Sequence, residues 1–364
     1  MNQRPYTVVL IVPTGIGAAI GGYAGDALPV ARSIAQVADC LITHPNVLNG
    51  AQMYWNLPNA LYVEGYALDQ FAGASWGLKP VHQNRIGLIL DQGIEEELKV
   101  RHLQAADAAR ATLGLDIGDY IVTDAPLKVE LRLAESGVSW GTIDNPGSLL
   151  RAAQKLIEQA KVNAIAVVAR FPDENSSSAT LQDYRHGTGV DYIAGAEAVI
   201  SHLIVRTFKI PCAHAPALLP LPVDPDISPR TAAEELGYTF LPCVLVGLAR
   251  APQFIVDRED KTPFPGEIWS PQVDAMVIPA TACGGSAILS LSNSHTKVIT
   301  VKENYTQIKV TPEQLGIAAI QVNSYLEALG VLVAHRAGIS ADALRPHLPS
   351  LGCLSQNSDK FQQL

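Results

Sequence analysis

Thr7-Val-Val-Leu-Ile-Val12 runs without polar alternation into Pro13-Thr14-Gly15-Ile16-Gly17 and then Gly21-Gly22. A strand that is apolar at every position is buried on both faces, the condition of a parallel strand covered by helices above and below. The same pattern recurs along the chain. Arg85-Ile-Gly-Leu-Ile-Leu90 stops at Asp91-Gln92-Gly93, residues 164–169 stop at Arg170, and Lys297-Val-Ile-Thr-Val301 stops at Lys302-Glu303-Asn304. Asp274-Ala-Met-Val-Ile278, then Cys283-Gly-Gly-Ser286, then the strand from Lys297 read as a βαβ unit whose crossover is long enough for parallel pairing. The expected fold class is α/β: a mostly parallel sheet with helices on both faces, in Rossmann-like halves.

The expected organisation is a first α/β lobe over 1–171, a loop-rich connecting segment with one helix over 172–235, and a second α/β lobe with C-terminal helices over 236–364. Residues 173–180 are polar and serine-rich, which suits an exposed loop. The proline-rich run 211–229 suits an irregular connection. In the second lobe, Cys243-Val-Leu-Val-Gly247 is expected to be a strand, and residues 317–336 one apolar helix stopped by Gly338.

Composition narrows the function. The chain has 364 residues, 48% of them hydrophobic and 17% charged, which is enough apolar material for a large packed interior. Its net charge of -9 and the lack of any basic run argue against nucleic acid as a partner. No apolar stretch reaches the roughly 18–20 residues of a membrane span. The low charged fraction leaves room for a homo-oligomer. Cys40, Cys212, Cys243, Cys283 and Cys353 form no CxxC pair, so reduced thiols in a cytoplasmic setting are expected rather than a disulfide framework. The nine histidines show no HExxH-type spacing, so no metal site is expected, and no cofactor is specified.

Ligands of open α/β sheets bind beyond the carboxyl ends of the strands. Those ends nominate a site for a small-molecule ligand. Thr14, Gly15 and Gly17 offer backbone amides to an anion, although neither a GxGxxG nor a Walker fingerprint is complete. Asn46, Asp91, Asp124, Arg170 and Asn304 stand at further strand ends, and Gly284, Gly285 and Ser286 at a helix start. Cys283 at that start is a candidate nucleophile, because a helix N-terminus favours thiolate. His44 and Glu303 are candidate proton carriers. Glu197 and Ser201 share a helical face at i, i+4 with His202 beside them, and Asp191 suits a cap for that helix. The leading reading is an enzyme acting on a small polar or anionic metabolite at the C-terminal edge of the sheet. The alternative is a non-catalytic regulatory protein that binds a nucleotide or metabolite.

Val12-Pro-Thr-Gly-Ile-Gly17, Gly187-Thr-Gly-Val-Asp191, Glu197-Ala-Val-Ile-Ser-His202, Pro211-Cys-Ala-His-Ala-Pro216, Cys283-Gly-Gly-Ser286 and Val301-Lys-Glu-Asn304 occur in this order. Together they resemble an uncharacterised family of cyanobacterial and plastid proteins, catalogued only as a domain of unknown function. The resemblance covers most of the chain. It implies a cytoplasmic or stromal protein and supplies no activity, cofactor or catalytic residue. Cys283-Gly-Gly-Ser286 with Pro211-Cys212 is faintly similar to the paired thiols of cofactor-independent amino-acid racemases, but the residues around each thiol depart from that motif.

Overall fold

In chain order the strands are β1 (Thr7–Leu10), β2 (Cys40–Thr43), β3 (Ala60–Tyr62), β4 (Gly77–Lys79), β5 (Ile86–Leu90), β6 (Ile117–Val122), β7 (Val129–Leu133), β8 (Ser139–Ile143), β9 (Ala164–Arg170), β10 (Cys212–Ala217), β11 (Gln253–Ile255), β12 (Val273–Pro279), β13 (Lys297–Val301) and β14 (Ala319–Val322). They come from a computed structural model that describes residues 4–49, 55–173, 178–235, 240–256 and 263–352. Six strands form one parallel sheet in the order β14-β13-β12-β1-β2-β3, and four form a second parallel sheet in the order β10-β9-β5-β6. A β7–β8 hairpin and an antiparallel β4–β11 pair complete the strands.

Alternation across each strand sorts the apolar residues into two layers. Val8 and Leu10 of β1 fall in one apolar cluster with Leu88 and Leu90 of β5 and Ala166 and Val168 of β9. Val9 of β1, Ile89 of β5 and Ile165 and Val167 of β9 fall in the other. The first layer is covered by the helices Leu28–Val37, Phe240–Ala249 and Tyr325–Arg336. The second is covered by Gly65–Ala72, Pro146–Ala160, Ala194–Phe208 and Ser286–Leu291. Each layer runs across both sheets, so the two sheets share their cores.

The larger sheet draws on both ends of the chain, because β1 lies hydrogen-bonded between β2 and β12. The sheets therefore do not follow the expected boundaries at 171 and 235. Residues 7–62 and 273–322 build the larger sheet, and the smaller one comes from between them. The strand order reverses between β1 and β12, which makes their carboxyl ends the topological switch point of the sheet.

Three local expectations are corrected. Residues 243–247 are not a strand but part of the helix Phe240–Ala249, whose residues Leu241, Cys243, Val244, Leu245, Gly247 and Leu248 are buried. A helix enclosed on nearly all sides has no polar face to betray its period. Residues 317–336 are not one helix: β14 comes first, and Ser324 then caps the helix Tyr325–Arg336 by accepting from the Glu327 amide. The proline-rich run begins with β10, which tolerates Pro216 because it is an edge strand. Residues 174–177 of the serine-rich stretch and Cys353 lie outside the described residues.

The helix Ala194–Phe208 lies so close to β8 that a Cβ on Gly195 would sit 2.3 Å from the Trp140 Cα and 2.5 Å from the Ser139 carbonyl oxygen. Both neighbours are backbone, so neither can swing away. Gly195→Ala is therefore expected to lower unfolding free energy by roughly 1–3 kcal/mol through overpacking, read as a drop in urea midpoint with an unchanged slope.

Candidate functional site

Four loops at the switch-point end of the larger sheet enclose a cavity of about 460 Å³. Ile11, Pro13 and Thr14 follow β1, His44 to Asn46 follow β2, Glu64 and Gly65 follow β3, and Ala282 and Gly284 to Ala287 follow β12. The opposite wall is the helix Ala194–Phe208, with His214 and Pro216 of β10 and Glu234. The lining contains the acids Glu64, Asp69, Asp191, Glu197 and Glu234, the histidines His44, His202 and His214, and no lysine or arginine among the described residues.

A row of polar side chains crosses this wall. Glu64 is 4% exposed and ends β3. One of its oxygens accepts from the amides of Tyr66 and Ala67, at 2.9 and 3.2 Å, and so caps the helix Gly65–Ala72. Its other oxygen lies 2.8 Å from His202 Nε2. Gly65 is needed here, since a Cβ would stand 3.1 Å from that nitrogen. The Ser201 hydroxyl lies 3.4 Å from the same Glu64 oxygen and 3.1 Å from His214 Nδ1. His214 Nε2 faces Glu197 at 3.6 Å.

The row has two consistent arrangements. With the proton on Nε2, His214 Nδ1 accepts a hydrogen bond from the Ser201 hydroxyl. With His214 protonated, Nδ1–H donates to Ser201, and Ser201 donates to Glu64. The Ser201 hydroxyl also lies 3.4 Å from the Ala198 carbonyl oxygen, so its one proton has that acceptor as well as Glu64 and His214. His202 is 42% exposed at the cavity, and its Nδ1 has no partner among the described residues. Burial pulls its pKa down, but the hydrogen bond and charge of Glu64 and the charge of Asp69 outweigh that and raise it overall.

The remaining acids crowd one another. Asp191 is not the cap of the helical wall, whose N-cap is Ile193; it accepts from the Ile193 amide at 3.1 Å and braces the turn into the helix. Burial, then the charges of Glu197 and Glu234, push its pKa well above the carboxylate range. Glu234 accepts from the Tyr184 hydroxyl at 2.7 Å and the Ala24 amide at 3.0 Å through one oxygen, and its other oxygen has no partner among the described residues. Burial pushes Glu234 up to about 7, opposed by those two hydrogen bonds and reinforced by Glu197 and Asp26.

Of the residues nominated from sequence, Thr14, His44, Asn46, Gly284, Gly285 and Ser286 line the cavity. Their surroundings alter their chemistry. His44 Nε2 accepts the Val12 amide at 3.0 Å, and burial lowers its pKa to about 4. It is held as a neutral imidazole with Nδ1–H to offer, which makes it a hydrogen-bond donor rather than a proton carrier. Asn46 donates to the Gly21 carbonyl at 2.7 Å and steadies the glycine loop. The helix start after Gly285 is already met by an internal carboxylate, since Asp69 accepts from the Ala287 amide and the Ser286 side chain. That answers the expected anion cradle with the protein's own anion.

The other nominated residues do not line the cavity, and each has structural partners. Gly15 and Gly17 have φ of +69° and +61°, and a Cβ on them would meet Ser139 at 2.5 Å and Gln307 at 2.9 Å, so they serve turn geometry and close packing. Cys283 is fully buried, and burial pushes its thiol up to about 11, the reverse of nucleophilic activation. Glu303 is exposed and accepts from the Tyr325 amide at 3.1 Å, steadying a helix start. Asn304 is buried and clamps Ile20 through both its amide and its carbonyl, at 2.8 Å each.

Asp91 accepts from the amides of Gly93, Leu127 and Arg170 at 3.0, 2.9 and 3.1 Å. Asp124 is paired with Arg151 at 2.7 Å, and that bond with the one from Ser148 holds its carboxyl well below the usual range. Arg170 is committed to Glu95 at 2.8 Å and Asp173 at 2.5 Å, so it is not free to hold an anion. The ends of β5, β6 and β9 therefore satisfy their charges among themselves and do not line the cavity, whereas β10 of the same sheet does. The thiols of Cys40, Cys212, Cys243 and Cys283 are unbridged, and no group of three or more His, Cys, Asp or Glu among the described residues is placed to hold a metal ion.

An uncharacterised lipoprotein of Synechococcus sp. (strain ATCC 27144 / PCC 6301 / SAUG 1402/1) is 58% identical over 346 residues, covering 95% of each chain. That relative is named a lipoprotein, and the comparisons give no support to the expected cytoplasmic location. No single helix among the described residues is long and apolar enough to cross a membrane. No solved structure is significantly similar. Residues 7–345 match the model of a family described as a protein of unknown function (DUF3326), and the chain belongs to that family.

Proposed function

We propose that the chain is an acid–base enzyme that moves a proton on a small polar metabolite held in the 460 Å³ cavity at the switch point. The observation that carries this reading is the row Glu197, His214, Ser201, Glu64 and His202 along one wall, which ends in an imidazole that lines the cavity and whose Nδ1 has no partner among the described residues. A buried carboxylate behind a histidine fixes its orientation and stabilises the imidazolium formed when it takes a proton. His202 Nδ1 is the proton carrier in this reading. His44, kept neutral, polarises a ligand oxygen through Nδ1–H. Glu64 and Ser201 position His202 and link it to His214.

The cavity's charge selects the ligand. Among the described residues the lining has five acids, with Asp191 and Glu234 held toward their neutral forms, and no lysine or arginine, so it gives phosphate and carboxylate groups no fixed cation to pair with and suits an ammonium or a cluster of hydroxyls. The preference expected from sequence for an anionic metabolite, and the nucleotide version of the regulatory alternative, both lose ground for that reason.

The test is solvent exchange. The protein is incubated in D2O with pooled small amines, amino acids and polyols, and each compound is followed by mass spectrometry for deuterium at carbon. Wild type should label one compound class, and His202→Asn should slow labelling by roughly 10²–10⁴-fold. Binding without labelling would overturn the catalytic reading and leave a binding protein. Glu64→Gln should also lower the His202 pKa measured by NMR titration, because the hydrogen bond and charge that raise it are weakened together.

The acids set a pH dependence of stability. A carboxyl whose folded pKa is raised binds more protons in the native state, so its favourable contribution is complete below the unfolded pKa and is lost as pH rises through the folded one. For Glu234 that window runs from the ordinary carboxylate range up to about 7. The melting temperature of the wild type is expected to fall across this window. In Glu234→Gln the fall should be shallower, since glutamine keeps both hydrogen-bond acceptances and cannot ionise.

A further inference from the structure

A second cavity, of about 320 Å³, adjoins the first. The two share Asp191, Ile193, Glu234 and Phe240 as a common wall. Beyond that wall the character of the lining changes. Leu181, Val190, Leu218, Leu219 and Leu221 supply hydrocarbon. The one cation there, Arg185, is buried and neutralised by Glu235 at 2.8 Å and Asp224 at 3.7 Å. Leu219 is 50% exposed although it lines this chamber.

The geometry points to a single-chain amphiphile as the ligand of this protein, with an amine head in the acidic cavity and a hydrocarbon tail in the apolar one. The inference rests on the acid–base reading of the first cavity and extends it to the substrate class. Three observations converge on it. The head chamber carries carboxylates and no fixed cation among the described residues. The partition carries an unpartnered Glu234 oxygen, placed where a head and a tail would join. The second chamber shares a wall with the first and is mainly apolar, its acids Asp173 and Glu235 being paired with arginines and Asp191 and Glu234 lying on the shared wall. A fully polar metabolite would leave the second chamber as exposed hydrocarbon, and an anionic head would find no lysine or arginine in the first chamber among the described residues.

The experiment measures binding of n-alkylamines, from methylamine to n-octylamine, by titration calorimetry, with n-alkanoates of equal length as the charge control. Each added methylene should tighten binding about fourfold until the chamber is filled, as expected for burying one methylene. The alkanoates should bind at least tenfold more weakly at each length. Leu219→Trp and Leu221→Trp, made separately so that one misfolded variant does not end the test, should abolish the chain-length gain while leaving methylamine binding unchanged.

Two results overturn the inference in distinguishable ways. If short amines bind, lose affinity in Glu197→Gln, and gain nothing with chain length, the tail chamber is not a ligand site and the acidic cavity stands. If no amine binds in a manner sensitive to Glu197→Gln, the acidic cavity is not an amine site, and both the inference and the ligand preference beneath it fall.

Discussion

Glu64 holds two backbone amides with one oxygen and, with the other, an imidazole and a hydroxyl. It stands where β3 ends and the helix Gly65–Ala72 begins, so one group fixes the chain's turn and the site's chemistry together. A buried carboxylate is tolerable only when its lone pairs are met, and here every partner comes from a different requirement. The amides need a cap, His202 needs an anion behind it, and Ser201 needs somewhere to send its proton. Removing the carboxylate would loosen all three at once, which makes the site's geometry inseparable from the local fold.

The cavity lies where the sheet topology leaves room for it. At β1 and β12 the chain departs in opposite directions, so the loops after these strands diverge and open a crevice. The larger sheet supplies the floor, and the helix Ala194–Phe208 with the edge strand β10 supplies the roof. Carboxylates brought this close in partly dry surroundings cannot all ionise cheaply. The protein meets that cost by holding Asp191 and Glu234 toward their neutral forms, as an acidic cleft does until a cation enters it.

Much of the fold was legible because buried parallel strands announce themselves. β1, β5 and β12 show unbroken apolar runs ended by polar or glycine clusters. The helix Phe240–Ala249 was misread for the same reason, since a helix with no exposed face looks like a strand. The short β14 vanished into the helix that follows it. Within the site, Glu197, Ser201 and His202 are visible through helical spacing, and Asp191 through its place just before the helix that it braces. Glu64 left no such mark. Its partner Ser201 is 137 residues away, and only tertiary structure brings them together. Cys283 and Glu303 drew attention by standing at strand ends, yet a strand end says nothing about whether a side chain faces a cavity, the interior or water.

The seating of β1 between β2 and β12 has a consequence for biogenesis. As the chain leaves the ribosome, β1, β2 and β3 emerge first, and the central strand lacks its second neighbour until the whole smaller sheet has been made. Such distant pairing is slow, and an apolar strand waiting with an open edge invites contact with other chains. The smaller sheet is continuous in sequence from β5 to β10 and can assemble meanwhile. A nascent chain of this protein would therefore pass through a stage with its later sheet formed and its earlier one unfinished, the stage at which a holdase would have most to protect.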